Sequence, residues 1–236
     1  MIAKIRTAGA RDVLQHGASW VEADTYLREV VMVNARERGE EPVYVHPFDD
    51  AEVWSGHASM VPEIVEEVPG DEGPDVMVCS VGGGGLFAGI MQGLESAGLS
   101  STRVLAVETH GAHSLALSLQ NKRLSTLPAI TSRATSLGAR TVASKAFEYA
   151  QRANVTSVVL DDRVAEEGCV RFADDERIMV EMACGVCLAL CYGGRLKEWV
   201  PDLTEETRVV VVVCGGSNVS AGMLAEWAGK MEGNEK

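Results

Sequence analysis

Five consecutive valines, Val209 to Val213, and the run Val76-Met77-Val78-Cys79-Ser80-Val81 show no polar alternation. A strand with one face in water alternates polar and apolar residues, so these runs predict central strands buried on both faces, as in parallel sheets. Four further stretches read as strands: Ser19 to Glu22, Val43 to His46, Val104 to Glu108 and Thr156 to Leu160. Helical segments fall between them at Thr25 to Arg38, Ala51 to Glu67, Leu86 to Ala97, Thr141 to Ala153, Arg163 to Ala173 and Met182 to Trp199. The alternation predicts an α/β fold, an open and mostly parallel twisted sheet covered by helices on both faces. A chain of 236 residues that is 46% hydrophobic can fill such a core.

Local signals set expected boundaries. Asp162 is placed to cap the helix starting at Arg163, and Pro62 is expected to kink or end the helix it lies in. Pro69, Gly70, Gly73 and Pro74 read as a linker. Ile2, Ile5 and Arg6 resemble the middle of a helix that Gly9 closes, and Glu232 to Lys236 read as unstructured.

Charge narrows the partners. A formal net charge of −13 without clustered Lys and Arg excludes a phosphate-backbone partner and points to a small-molecule substrate. No stretch reaches the roughly 18 apolar residues of a membrane span, and the N-terminus has no apolar signal core. Six cysteines in mostly apolar surroundings suit reduced thiols, so the expected location is cytoplasmic.

The chemistry concentrates at two glycine-rich corners. Ser80-Val81-Gly82-Gly83-Gly84-Gly85-Leu86 follows a buried strand and opens an apolar helix. Consecutive glycines let several backbone amides turn toward one anion at a helix N-terminus, which makes a phosphate cradle. The segment has neither the Lys-Ser/Thr ending of a Walker loop nor clean dinucleotide spacing. Cys214-Gly215-Gly216-Ser217-Asn218 follows the second valine run. Ligands of open parallel sheets sit beyond the carboxyl ends of the strands, so both corners are expected to face one crevice. Cys184, Cys187 and Cys191 read either as iron–sulfur ligands or as one face of a buried helix, and the flanking Val186, Leu188 and Leu190 favour the helix face. His110 and His113 read as loop residues with a structural role rather than metal ligands.

Phe48-Asp49-Asp50, Trp54-Ser55-Gly56-His57-Ala58-Ser59, Ser80 to Leu86, Glu108-Thr109-His110-Gly111-Ala112-His113-Ser114, Glu181-Met182-Ala183-Cys184-Gly185 and Val213 to Asn218 occur in the order found in serine dehydratases. The chain resembles the catabolic L-serine/L-threonine dehydratases, pyridoxal-phosphate enzymes of fold type II. The resemblance implies that Gly82, Gly83, Gly84, Gly85 and Leu86 bind the phosphate of pyridoxal 5′-phosphate and that Cys214 faces the ring nitrogen. It further implies a monovalent cation, K+, at Glu181 and neighbouring carbonyls, with Met182 standing where the family usually has proline. Residues 1–46 are expected to be a remnant of the smaller domain and 47–236 the large cofactor-binding domain. The family's Schiff-base lysine belongs to a Ser-Phe-Lys-type motif, and its substrate-carboxylate loop to a Ser-Gly-Asn-Ala-Gly-type segment; neither is in this sequence. No lysine is nominated in its place, so the expected ammonia-lyase activity is impaired in this chain. Pairing, as a homodimer or with a full-length homologue, is the expected assembly.

Overall fold

The structure is a computed structural model that describes residues 2–70 and 73–232. The chain divides into two compact units, Met1–Val45 and His46–Lys236.

The first unit is helical. Helix α1 (Ile2–Thr7) is followed by α2 (Trp20–Tyr26), a π-helical turn (Leu27–Val31) and α3 (Met32–Glu37). The strand expected at Ser19 to Glu22 is instead the start of α2. Ser19 Oγ accepts the Glu22 amide at 3.3 Å, and the Glu22 carboxylate takes the Ala18 amide at 2.6 Å, a variant of the capping box that reaches one residue before the cap. The strand expected at Val43 to His46 is irregular chain, and Val43 is 84% exposed. Its alternation had no sheet to join. Within the unit Tyr44 donates to the buried carboxylate of Asp24, which also pairs with Arg28 at 3.1 Å.

The second unit carries the sheet. Helices α4 (Ala51–Ala58) and α5 (Met60–Glu67) precede β1 (Val76–Ser80), α6 (Gly85–Ser96), β2 (Arg103–Thr109) and α7 (Ser114–Gln120). Then come α8 (Ser144–Ala150), β3 (Val155–Leu160), α9 (Asp162–Glu176), α10 (Met182–Leu188), α11 (Leu196–Trp199), β4 (Val209–Val211) and α12 (Ala221–Glu232). All pairings are parallel, in the order β3-β2-β1-β4. Val76, Val78, Leu105, Val107, Val209 and Val211 face one apolar layer, filled from α9, α10 and α12. Met77, Cys79, Val104, Ala106, Val210 and Val212 face the other, filled from α5, α6 and α8. This two-sided burial is what the unalternated valine runs require.

Several boundaries differ from the sequence reading. The 51–67 segment breaks at Ser59, so Pro62 falls in the first turn of α5, where a missing N–H costs nothing. Asp161, not Asp162, precedes α9; the Asp162 carboxylate turns away to accept from Ser132 Oγ and the Arg133 amide, at 2.6 and 2.8 Å. The helix expected over Met182 to Trp199 stops at Leu188, passes through a 3-10 turn, and resumes at α11 after Gly193 and Gly194, both left-handed. Of the linker, Pro69, Gly70, Gly73 and Pro74 are irregular; of the tail expected to be unstructured, 233–236 lie outside the described residues.

Candidate cofactor site

The glycine loop leaves the carboxyl end of β1 and enters α6. Its conformation follows from the lack of side chains. Gly84 has φ +91, a left-handed backbone that disfavours any Cβ, and a Cβ there would also lie 2.5 Å from Ala146 Cβ and 2.9 Å from Val142 Cγ2. A Cβ on Gly83 would enter the ring of Phe48, and one on Gly85 would come 2.8 Å from the Phe48 carbonyl. Phe48, singled out with Asp49 and Asp50 in the sequence, thus packs on the side-chain side of the loop, and its carbonyl accepts Trp54 Nε1 at 2.7 Å. The Gly83 carbonyl takes the Ala143 amide at 2.9 Å.

The amide side of the loop is different. Among the described residues, the amides of Gly82, Gly83, Gly84, Gly85 and Leu86 donate to no protein group, and no side chain caps α6. Donors of this kind at the N-terminus of a 12-residue helix, with its dipole behind them, suit an anion.

Cys214 leaves the neighbouring strand at the same end. Val78 pairs with Val211, and the Val212 amide continues the ladder to the Val78 carbonyl at 2.9 Å. Gly82 and Cys214 therefore emerge from adjacent strands, which lie about 5 Å apart in a sheet. The Cys214 thiol is exposed, and partial desolvation, then nearby Cys184 and Glu181, hold its pKa above the usual thiol value. At neutral pH it is a protonated, uncharged donor.

The third wall comes from 134–138. A Cβ on Gly82 would meet Leu137 Cα at 2.9 Å and the Ser136 carbonyl at 3.2 Å, and Asn218 Nδ2 donates to Ser136 Oγ at 3.1 Å. Sequence reading gave no sign of Ser136, which lies far along the chain from both glycine corners. Glu181 stands behind the Cys214 turn: its Oε2 accepts the amides of Ser217 and Asn218 at 3.0 and 2.7 Å, and its own amide donates to the Gly215 carbonyl at 2.8 Å. Its carbonyl takes the amides of Cys184 and Gly185, so this carboxylate chiefly organises backbone.

The remaining motif residues fall outside the crevice chemistry. Cys184 and Cys187 are buried in the core beneath the sheet, whereas Cys191, on the 3-10 turn, is exposed, so the helical stripe holds for the first two only. His113 Nδ1 accepts the Gly111 amide at 3.0 Å, shaping the loop after β2. Among the described residues no three His, Cys, Asp or Glu side chains are grouped to hold a metal.

The glycine loop and the Cys214 turn thus follow the carboxyl ends of adjacent parallel strands. The chain belongs to the family described as pyridoxal-phosphate dependent enzyme, whose model it matches over residues 1–215. It is 43% identical over 224 residues to an L-serine dehydratase of Saccharomyces cerevisiae, an alignment that covers 92% of this chain and 66% of the yeast protein. A serine dehydratase-like protein of Mus musculus is 41% identical over 229 residues, covering 96% of this chain and 67% of that protein. The crystal structure of an L-serine ammonia-lyase from Rhizomucor miehei superposes with a TM-score of 0.86 at 33% identity, covering 97% of this chain and 70% of that one. Maize serine racemase, at 24% identity and a TM-score of 0.76, shares the fold. The chain spans about two thirds of the length of the curated relatives it matches. Among the described residues no helix is long and apolar enough to cross a membrane.

Proposed function

We propose that this chain is the cofactor-holding part of an L-serine and L-threonine ammonia-lyase, which yields pyruvate or 2-oxobutanoate plus ammonia. One observation carries the reading: the uncommitted amides of Gly82 to Leu86 stand beside Cys214 at the end of two adjacent strands. Pyridoxal phosphate, when bound, supplies an electron-withdrawing ring that acidifies the hydrogen on the substrate's α-carbon. The amides of Gly82, Gly83, Gly84, Gly85 and Leu86 would hold its phosphate. The neutral thiol of Cys214 would meet the ring nitrogen, offering a hydrogen bond without a counter-charge, so that nitrogen stays unprotonated. The four glycines support this reading, since a Cβ on any of them would strike Phe48, Leu137, Ala146 or Val142 and disturb the turn that presents the amides.

For the monovalent cation, Glu181 offers its Oε1, because Oε2 and the main-chain carbonyl each hold two amides; hard oxygen donors of this kind suit K+. Residues 1–46 belong in this reading to the smaller domain and 47–236 to the domain that grips the cofactor. Six free thiols fit a reducing, cytoplasmic setting.

The base that moves the α-proton is the part this chain does not supply in our reading. Lys4, Lys122, Lys197 and Lys230 are exposed, and Lys145 pairs with Glu148 at 3.0 Å. None lies in the buried apolar pocket that such chemistry uses. A full-length homologue, paired with this chain, would provide it. The test is pyruvate release from L-serine by the purified chain with pyridoxal phosphate. The expected rate is roughly a hundredfold or more below that of a full-length relative, the share a positioned base contributes. Full turnover by the 236-residue chain alone would sink the division of labour.

A further inference from the structure

The two arms of the crevice are anchored unequally. The segment entering 134–138 is pinned from several sides: Ser132 Oγ lies 2.7 Å from Thr109 Oγ1 and donates to Asp162 Oδ1 at 2.6 Å. The Thr131 amide donates to the Gly111 carbonyl at 3.0 Å, and the Arg133 guanidinium pairs with the buried Glu166 carboxylate. Ser136 therefore sits on a fixed platform that also backs Gly82.

The Cys214 turn has less support. Gly215 and Gly216 are both left-handed, at φ +72 and +89, and the residues from Cys214 to Asn218 are exposed or half-exposed. Its main-chain ties include the Glu181 amide to the Gly215 carbonyl, the tight Gly216 to Cys214 bond, and backbone hydrogen bonds from Cys214 and Gly215 to the Cys184 thiol, all held within the turn or by the start of α10. Glu181 grips its far end through the amides of Ser217 and Asn218, but Glu181 belongs to the start of α10, not to the glycine-loop wall. One side-chain bond crosses from the turn to that wall, Asn218 Nδ2 to Ser136 Oγ, at 3.1 Å.

We infer that Asn218, through Ser136, is a positioning residue that sets the separation between Cys214 and the phosphate seat. The chain of contact runs from the Glu181 carboxylate to the Asn218 amide, from the Asn218 side chain to the Ser136 hydroxyl, and from the Ser136 carbonyl to Gly82. A ligand that must touch both arms needs their spacing fixed before it arrives, since ordering the turn on binding would cost affinity. The inference rests on the cofactor reading for its purpose, but its geometry can be tested without any cofactor.

Two measurements on the full chain separate these layers. The first is the alkylation rate of Cys214 by iodoacetamide, followed by peptide mass spectrometry with the exposed Cys191 as internal reference. Asn218→Ala and Ser136→Ala are each expected to raise the Cys214 rate about fivefold, the equivalent of one net hydrogen bond. The double variant should rise no further, and Ser136→Thr, which keeps a hydroxyl, should stay at the wild-type rate. The second is titration with pyridoxine 5′-phosphate, whose alcohol forms no imine with surface lysines; its Kd should weaken by a similar factor in both alanine variants. Unchanged Cys214 reactivity in both alanine variants, or effects that simply multiply in the double variant, would overturn the positioning role. Absence of saturable pyridoxine 5′-phosphate binding by the wild type would instead overturn the cofactor reading, with the thiol result still deciding the tie.

Discussion

Helices α6 and α7 both follow a strand of the same parallel sheet at its carboxyl end, yet their first turns are finished in opposite ways. At α7 the protein supplies its own acceptor: the carboxyl of Glu108 on β2 accepts the amides of Leu115 and Ala116 at 2.9 and 2.8 Å. At α6 the first amides, largely those of the glycines themselves, have no protein acceptor among the described residues. Four orphan donors at a helix start must be satisfied by side chain, water or ligand. One strand end is thus closed by the chain itself, whereas its neighbour leaves its donors to water or to the ligand that our reading places there. The contrast supports the proposed seat more directly than the glycine count does, because the same fold caps the neighbouring helix with its own carboxyl group.

The largest effect should come from closing α6 on its packed side. Gly84→Ala forces a Cβ into a left-handed residue and against Ala146 and Val142, which together should cost roughly 2 to 5 kcal/mol. Gly98→Ala makes the control: it has φ +73 but nothing within 4 Å, so only the backbone term of about 1 kcal/mol applies. Denaturant melts of the two should differ clearly. Equal losses would mean that the loop side chains around Gly84 are not packed as described.

The α7 end should show itself in pH dependence. Glu108 is fully buried, and burial pushes its pKa up to about 8, against the pull of the two amide bonds toward the carboxylate. The folded-state value lies above the unfolded one, near 4.5, so the folded chain keeps a proton that the unfolded chain has released. Stability from this group is then full below pH 4.5 and is lost as pH rises toward 8, with a steepest slope of about 1.4 kcal/mol per pH unit. Glu108→Gln should flatten that part of the curve between roughly pH 6 and 8 relative to the wild type. Parallel curves would show that Glu108 is ionised throughout and that the amides of α7 outweigh its desolvation.

The same comparison explains what could be read from the sequence. The α6 site was legible because its whole signal is contiguous: a run with no polar alternation, four glycines, then an apolar helix. The Cys214 corner was legible for the same reason. Helix α7, Ser114-Leu115-Ala116-Leu117-Ser118-Leu119-Gln120, went unread because its capping group lies on the preceding strand, six residues before the helix begins. Ser136 was invisible because its role depends on a hydroxyl meeting Asn218 across 82 residues of chain. Local chemistry is written locally, whereas a tie between loops exists only after the sheet has brought their strand ends together. The mistaken strand at Ser19 to Glu22 shows the converse. The segment carries the Ser-x-x-Glu spacing of a helix start beside Trp20 and Val21, residue types that also favour strands, and the cap outweighs that preference.

The smallest predicted effect tests the open end directly. Inorganic phosphate carries the charge and oxygens that the α6 amides lack, and it has no ring to engage Cys214. A ligand that binds only the folded state at ten times its Kd adds about 1.4 kcal/mol of stability, so phosphate should raise the melting temperature in a saturable way, where chloride at equal ionic strength does not. Glu108→Gln should leave that increment intact, because α7 closes on its own carboxyl group. Gly84→Ala should erase it even after its lower starting stability is allowed for, since the turn that aims the amides is disturbed. A phosphate increment that survives Gly84→Ala and vanishes in Glu108→Gln would reverse the assignment of the two helix ends, and the anion seat would then have to be sought at α7.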